Sequence, residues 1–323
     1  MSETRRRLLG ALALAPVVST ARADQAVFPT RTMRIVVPYP PGGFNDQLAR
    51  VLAQKFGETW KQTVVVENRP GAGTQIGTDH VAKAPPDGHT LLIAGFAFAV
   101  NPSLQARPAY DAVRDFAPIV LCGATPNLLI TGSDQPFRSV ADLLALARAK
   151  PGEVTFASTG PGSSTHLSME LLKLRGRVDV VHVPYKGSAP ALVDVIGGRV
   201  HAAFDNVPNV LQQVNAGRVR ALAVTSPRRF ALLPHLPTLI EAGVPDFEVS
   251  SWFGLAAPGK TPREIVERLN REVNRILLLP DVAALFRAQG VEAIGGGSEQ
   301  MGTLIRNQIA KWAPVVKAAG LGG

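Results

Sequence analysis

The N-terminal third of the chain contains the sequence Ile35-Val36-Val37-Pro38-Tyr39-Pro40-Pro41-Gly42-Gly43-Phe44-Asn45-Asp46. Its β-branched start indicates a buried strand, and the prolines end that strand because they remove backbone donors. Residues 47–60 place apolar side chains at helical spacing, so a helix begins near Asn45. A helix N-terminus has unpaired N–H groups and a partial positive charge, and glycines let the backbone approach a ligand, so this turn suits an anion. An ordinary turn capped by Asn45 or Asp46 explains the same residues equally well.

The first residues have the pattern of an export signal. Three arginines at positions 5–7 precede an apolar run over residues 8–18 that is too short to cross a bilayer, and Ala21-Arg22-Ala23 has the form of a cleavage site. We therefore predict a signal peptide over residues 1–23, cleaved after about Ala23, and a periplasmic mature protein. The arginines fit both the twin-arginine and the general export route.

The net charge is basic without being extreme. There are 34 Lys and Arg against 25 Asp and Glu, a net charge of +9; the predicted signal removes four basic residues and one acidic residue, which leaves about +6. The basic residues are scattered and nucleic-acid-binding signatures are absent, so we expect no nucleic-acid partner. Cys122 has no second thiol to pair with and lies in an apolar run, so we interpret it as a core residue.

From Arg34 onward, short β-branched runs alternate with helical segments, which is typical of parallel α/β sheets covered by helices. Residues 117–121 and 128–131 read as separate strands, and residues 238–242 as a short helix. A second strand, Gly-rich turn and helix start lie at residues 155–164. Ligands in open α/β sheets bind at such turns. Two turns of this kind fit two lobes that face each other across a cleft; two unrelated turns in one sheet are the alternative.

The loop Ser158–Ser164 carries four hydroxyls and two glycines directly before a predicted helix, with no obvious general base. Donor-rich sites without a base bind carboxylates and release them unchanged, although helix capping uses the same residue types. His166 either hydrogen-bonds across this turn or serves Ser163 or Ser164 as a catalytic base.

Two further polar residues follow predicted strands. Asp205 either caps the next helix or contacts a ligand, and Tyr185 offers a phenol at a strand end. The segment Gly71–Gly77 has the wrong glycine spacing for a dinucleotide site, and the six histidines lack zinc-binding spacing. We therefore expect no cofactor and no metal.

Nine short stretches are spread over the mature chain in the order Val37–Asp46, Val66–Gly73, Pro86–Leu92, Asn101–Leu104, Ser158–Leu167, Val183–Ser188, Phe204–Asn206, Leu222–Ser226 and Ser251–Gly254. Together they resemble the Bug family, the substrate-binding proteins of tripartite tricarboxylate transporters. The resemblance implies an α/β fold of the type II periplasmic-binding-protein class, in which two α/β lobes are joined by crossing hinge strands.

The same resemblance implies the division of the chain. Lobe 1 is expected to contain residues 24–123 plus 228–323, and lobe 2 residues 124–227, with crossings near residues 122–127 and 224–228. The implied partners are a small organic anion and the membrane subunits of the transporter, and the implied state is a monomer. The implied ligand-binding residues are Pro41, Gly42, Gly43, Phe44, Asn45, Asp46, Ala97, Phe98, Ser158, Thr159, Gly160, Ser163, Ser164, His166, Tyr185 and Asp205.

This chain departs from the family pattern at two places. Phe44 and Asn45 stand where relatives have a small residue and a threonine, and residues 94–100 are apolar where relatives often have polar side chains. We expect a mono- or dicarboxylate with an aliphatic or aromatic body, and Phe44 as the first determinant of ligand preference. Packing of Phe96 and Phe98 in the core is the alternative.

Three functions fit the sequence. The leading interpretation is a non-enzymatic solute-binding protein that captures an organic carboxylate, with di- and tricarboxylates and aromatic or aliphatic acids all in range. The second is a periplasmic sensor that presents its liganded form to a signalling partner. The third is an exported hydrolase that uses Ser163 or Ser164 with His166.

Overall fold

The structure is a computed structural model that describes residues 28–322, so the predicted signal peptide lies outside it. Its strands are β1 Met33–Val37, β2 Val64–Asn68, β3 Thr90–Gly95, β4 Phe116–Gly132, β5 Thr155–Ser158, β6 Val181–Pro184, β7 Ala202–Asn206, β8 Val219–Val224, β9 Ser250–Pro258 and β10 Glu292–Ala293. Its α-helices are α1 Phe44–Trp60, α2 Gln75–Ala82, α3 Phe96–Val100, α4 Val140–Ala149, α5 Ser164–Gly176, α6 Ser188–Ile196, α7 Val207–Asn215, α8 Arg263–Leu277, α9 Pro280–Ala288 and α10 Ser298–Ala318.

One half of the strands forms the sheet of the first lobe. Strand β1 pairs in parallel with β2 and β3, and β3 pairs antiparallel with β9, which in turn pairs with the first half of β4. Apolar residues of α1, α8 and α9 pack on this sheet and form one core cluster. The parallel strands β1 and β3 each run into a helix, and the sequence pattern predicted the one after β1.

The other strands form the sheet of the second lobe. The second half of β4 pairs antiparallel with β7 and β8, and β5 lies between β7 and β6 in parallel. Helices α6 and α7 cover one face of this sheet. Strands β5, β6 and β7 lead into α5, α6 and α7, so three helix starts lie at one end of this sheet.

Strand β4 is continuous over 17 residues and belongs to both sheets. The prediction of separate strands at 117–121 and 128–131 was therefore wrong. Pro126, which suggests a break, still pairs with Ser250 of β9, and the next residue, Asn127, pairs with Asn206 of β7. A proline is tolerated here because the strand changes neighbours at this point.

The segment between β8 and β9 packs on the second lobe. Its backbone bonds return to β8, from Leu239 to Val224 and from Val249 to Thr225. The ring of Phe247 stacks on Phe204 with centroids 5.9 Å apart. We therefore propose that the second crossing lies at residues 249–250 rather than 224–228, so that residues 228–249 belong to lobe 2. Residues 238–242 form a turn, so the helix predicted there was wrong.

Over residues 28–322, no helix combines the length and apolarity needed to span a bilayer. The same range contains no group of three or more His, Cys, Asp or Glu side chains placed to hold a metal ion. Cys122 is fully buried, and burial raises the pKa of its thiol to about 12.

Candidate functional site

Strand β9 brings the starts of α1 and α5 together. The hydroxyl of Ser251 lies 2.6 Å from the hydroxyl of Ser164, the first residue of α5. The ring of Phe253 lies 4.6 Å, centroid to centroid, from the ring of Phe44, the first residue of α1. Ser251 and Phe253 are two residues apart, so they point to one face of the strand and are separated by about 7 Å along it. The first residues of two helices, one from each lobe, therefore both contact strand β9.

In lobe 1, the carboxylate of Asp46 is used to build the turn. It accepts hydrogen bonds from the Gly42 N–H at 3.1 Å and from Arg50 and Asn68 at 3.0 Å. Burial alone would raise its pKa, but the bonds from Arg50, Gly42 and Asn68 hold the pKa below its usual value. The geometry thus gives Asp46 an anchoring role rather than the ligand contact expected from the sequence.

The ring of Phe44 lies in the core of lobe 1. It is 4% exposed and contacts the rings of Phe253 and, at 5.2 Å, Phe286. The expectation that this ring determines ligand preference has no support in this geometry. The backbone N–H of Phe44, unlike the ring, remains a donor, because the first N–H groups of a helix have no intrahelical acceptor. Gly43 is the N-cap and its carbonyl accepts from Asp46 and Gln47, which leaves the N–H groups of Phe44 and Asn45 as first-turn donors.

Asn45 carries an unpaired side-chain oxygen in this turn. Its amide oxygen Oδ1 is buried and has no hydrogen-bond partner among the described residues. The O and N ends of an amide are assigned from their partners, so either end can face a ligand. Pro41 and Gly42 are exposed beside it, and Gly43 is half-buried. Gly42 has φ +94°, a conformation that favours glycine.

In lobe 2, most hydroxyls of the Ser158–Ser164 loop bond within the loop or to its neighbours. Ser158 Oγ lies 2.6 Å from His182 Nε2 and accepts from the Gly160 N–H at 3.2 Å. Thr159 Oγ1 lies 3.0 Å from the hydroxyl of Thr165. These side chains build the loop, and their contact with a ligand stays a prediction.

The start of α5 retains backbone donors that have no intrahelical acceptor. Ser163 is the N-cap: its hydroxyl accepts from the His166 N–H at 3.2 Å and donates to the Gly160 carbonyl at 2.6 Å. The N–H groups of Ser164 and Thr165 remain as first-turn donors without an intrahelical acceptor. The helix N-terminus adds a partial positive charge at the same place.

The ring of His166 is held away from the serine hydroxyls. Its Nδ1 accepts from the Gly162 N–H at 3.2 Å, its ring stacks on His182 at 4.0 Å, and its Nε2 lies 3.6 Å from a carboxylate oxygen of Glu170. Burial and the neighbouring His166 lower the pKa of His182 to about 4. A hydrolase would need a ring nitrogen of His166 against Ser163 or Ser164, and this arrangement does not provide it.

Asp205 links the starts of α6 and α7, and Tyr185 bonds to a later residue of α6. Asp205 accepts from Ser188 Oγ, from the Asn206 N–H at 2.8 Å and from Asn209 Nδ2 at 2.9 Å. Burial raises the pKa of Asp205 to about 6. The phenol of Tyr185 donates to Asp194 at 2.5 Å. Both side chains are occupied by the protein, which favours the capping alternative for Asp205.

The remaining two expected contacts belong to α3, a helix that the sequence pattern did not predict. Phe98 is 2% exposed and packs against the rings of Tyr110 and Phe116. Phe96 packs edge-on against Trp312. Both rings therefore lie in the core, and Ala97, between them, is also buried.

A polar cluster lies where the two lobes meet, and Ser164 is the one member that sequence reasoning singled out. We call it the floor cluster and define it as Asn127, Ser164, Asn206 and Ser251. The amide Nδ2 of Asn206 donates to Ser251 Oγ at 2.7 Å, to Ser164 Oγ at 3.2 Å and to Asn127 Oδ1. Asn206 and Ser251 lie in stretches that resemble the Bug family, which is the one sequence signal that pointed to them.

The lobes also approach each other around Gly162 and Gly73. A Cβ at Gly162 would lie 2.7 Å from Leu104 Cδ1 and 2.8 Å from Asn101 Oδ1 of the first lobe. A Cβ at Gly73 would lie 3.6 Å from the Pro161 carbonyl of the second lobe. The lobes therefore approach each other closely here, and glycine is needed at position 162 for this approach.

Comparison with known proteins identifies the family. The family described as "Tripartite tricarboxylate transporter family receptor" matches residues 48–321. The chain belongs to this family. Protein BugT of Bordetella pertussis is 40% identical over 311 residues, which cover 96% of this chain and 95% of BugT. The Bug resemblance seen in the sequence is thereby confirmed.

Two solved structures are similar to this one. "R. palustris Rpa4515 with adipate" has a TM-score of 0.85 and 41% identity, covering 91% of this chain and 98% of that one. "MatC (Rpa3494) from Rhodopseudomonas palustris with bound malate" has a TM-score of 0.83 and 31% identity, covering 90% and 100%. The predicted fold class, the two-lobed periplasmic-binding-protein fold, is confirmed.

Proposed function

We propose that this protein captures a small dicarboxylate in the cleft between its lobes and delivers it to the membrane subunits of a tripartite tricarboxylate transporter. The observation that supports the proposal is that the first residues of α1 and α5, one from each lobe, both contact strand β9. Each start offers two first-turn N–H groups and a partial positive charge. In the simplest arrangement, each helix start binds one carboxylate of the ligand.

We infer that the affinity for the ligand comes from neutral donors, because the nearby cation is already paired within the protein. Arg50, the cation bonded within the lobe 1 turn, is committed to both oxygens of Asp46. Backbone N–H groups then hold the ligand carboxylates through charge-assisted bonds. A ligand with two carboxylates is also what the names of the two similar structures state for those proteins, adipate for one and malate for the other.

Transport by this route involves closure of two lobes over the ligand. Strands β4 and β9 connect the lobes, so rotation about residues 126–127 and 249–250 opens and closes the cleft. Delivery to membrane subunits is supported by the description of the family. A periplasmic location is supported by the signal-like pattern of residues 1–23.

The test is calorimetric titration of the purified mature protein with adipate, malate, citrate and phthalate. We expect saturable binding of at least one dicarboxylate with a single site, and weaker binding of citrate. Asn45→Asp replaces an amide by an anion of equal size at the start of α1. It is expected to weaken dicarboxylate binding by about tenfold or more. Recovery of a chemically altered ligand, or no binding of any carboxylate, would refute the proposal.

A further inference from the structure

The hydroxyl of Tyr39 differs from those of the other two tyrosines of the chain. Tyr110 donates to the Phe98 carbonyl at 2.9 Å and Tyr185 donates to Asp194 at 2.5 Å. Among residues 28–322, the Tyr39 hydroxyl has no hydrogen-bond partner. Its side chain is partly exposed, and its ring packs against the core cluster of lobe 1. The ring is therefore fixed by packing, while the hydroxyl is available to a ligand.

The Tyr39 hydroxyl lies over the end of β3. A Cβ added to Gly95, the last residue of this strand, would lie 2.9 Å from the hydroxyl oxygen and 3.7 Å from the ring carbon that bears it. The backbone of Gly95 is extended, with φ −147°, a conformation open to any residue. The absence of a side chain at position 95 thus leaves the space that the phenol fills.

The register of the sheet places this hydroxyl relative to the two helix starts. Gly95 pairs with Phe253 of β9, and cross-strand partners point to the same face of a sheet. The ring of Phe253 contacts Phe44, the first residue of α1, at 4.6 Å. Ser251 points to the same face about 7 Å further along β9 and contacts Ser164, the first residue of α5. The free hydroxyl is therefore on the face of β9 that both helix starts contact, and at the position nearer to α1.

We propose that the Tyr39 hydroxyl donates a hydrogen bond to the ligand carboxylate at the start of α1 and is a determinant of ligand affinity. The inference rests on the proposed function, because it takes a carboxylate at that helix start as given. Two oxygens of a carboxylate accept about four hydrogen bonds, and the N–H groups of Phe44 and Asn45 supply two. The phenol supplies one more, from a side chain instead of the backbone.

The chemistry of the phenol suits this role. Burial raises the pKa of the Tyr39 hydroxyl above its ordinary value, so the group stays neutral and keeps its proton. A neutral phenol donates to an anion, and such charge-assisted O–H···O⁻ bonds are about twice as strong as bonds between neutral groups. A phenylalanine at this position would keep the packing of the ring and lose only the donor.

The experiment is calorimetric titration of the mature protein with adipate, malate, citrate and phthalate, together with urea unfolding of each variant. Tyr39→Phe is expected to bind the best of these acids about tenfold more weakly than the wild type, the effect of one lost charge-assisted bond. Its urea midpoint is expected to stay unchanged, because the hydroxyl bonds to nothing in the protein. Gly95→Ala places a methyl group against the hydroxyl and is also expected to weaken binding, with a smaller effect when Tyr39→Phe is already present.

The matched control is Tyr110→Phe, which removes the same atom from a hydroxyl that donates to the Phe98 carbonyl. It is expected to lower the urea midpoint, because a buried hydrogen bond is lost, and to keep the affinity within about twofold of the wild type. Wild-type affinity in Tyr39→Phe overturns the inference and leaves the proposed function standing. A weaker affinity accompanied by a fall in the urea midpoint as large as that of Tyr110→Phe also overturns it, because the role is then structural. Failure of the wild type to bind any of the four acids overturns both.

Discussion

Substitution of Phe44 tests whether this residue is part of the core or determines ligand preference. The ring makes two aromatic contacts, at 4.6 Å to Phe253 and at 5.2 Å to Phe286. Each such pair contributes about 0.5–1.5 kcal/mol beyond its buried area, so Phe44→Leu is expected to lower the free energy of unfolding by about 1–3 kcal/mol. Phe44→Ala also leaves a cavity and is expected to lower it by about 3–5 kcal/mol.

Urea unfolding followed by circular dichroism measures these losses, and calorimetry with adipate and phthalate measures ligand preference. We expect Phe44→Leu to leave the ratio of the two affinities within about twofold of the wild type, because the ring faces the core. Phe247→Leu, in the core of the second lobe, is the matched control and is expected to lose stability without a change in preference. A fivefold change in the ratio with unchanged stability in Phe44→Leu would refute the core assignment.

Two further substitutions test the electrostatics and the closure of the cleft. Asp205 has a folded-state pKa raised from 3.8 to about 6, so its contribution to stability is full below pH 3.8 and is lost as the pH rises through 6. Asp205→Asn, which stays neutral, is expected to gain about 3 kcal/mol in unfolding free energy relative to wild type between pH 4 and pH 7 in urea titrations; a pH-independent difference would contradict this. Gly162→Ala places a Cβ against Leu104 and Asn101 and is expected to weaken ligand binding by about tenfold in calorimetry. The matched control is Gly217→Ala, because Gly217 has φ +67°, close to the +75° of Gly162, and open space around it. Equal effects of the two substitutions on ligand affinity would exclude a clash at Gly162.

The sequence predicted the local units of this fold well. The strand, Gly-rich turn and helix at residues 35–46 were predicted because prolines, glycines and apolar spacing are signals within one stretch of chain. The same holds for the helix start at Ser163, where a hydroxyl cap precedes an apolar run. The continuous strand β4 was missed because Pro126 reads as a break, and only its partner strands show that it is tolerated.

The side chains of the site were harder to predict than its backbone. Whether Phe44 faces the cleft or the core depends on the rotation of α1 against β9, which no local pattern records. The hydroxyls of Ser158 and Thr159 looked available until their partners His182 and Thr165 were known, and those partners come from tertiary packing. The proposed ligand contacts through backbone N–H groups stay a prediction that the calorimetric titrations test.

Strand β4 has a consequence for how this protein folds. A chain with two lobes is expected to unfold in two steps when each lobe has its own sheet and core. Here one strand supplies hydrogen-bond partners to both sheets, and one core cluster contains Trp312 from α10 together with Phe156 and Phe204 from the second lobe. Neither lobe can lose its structure without unpairing a strand that the other requires. The two lobes are therefore expected to unfold as a single cooperative unit.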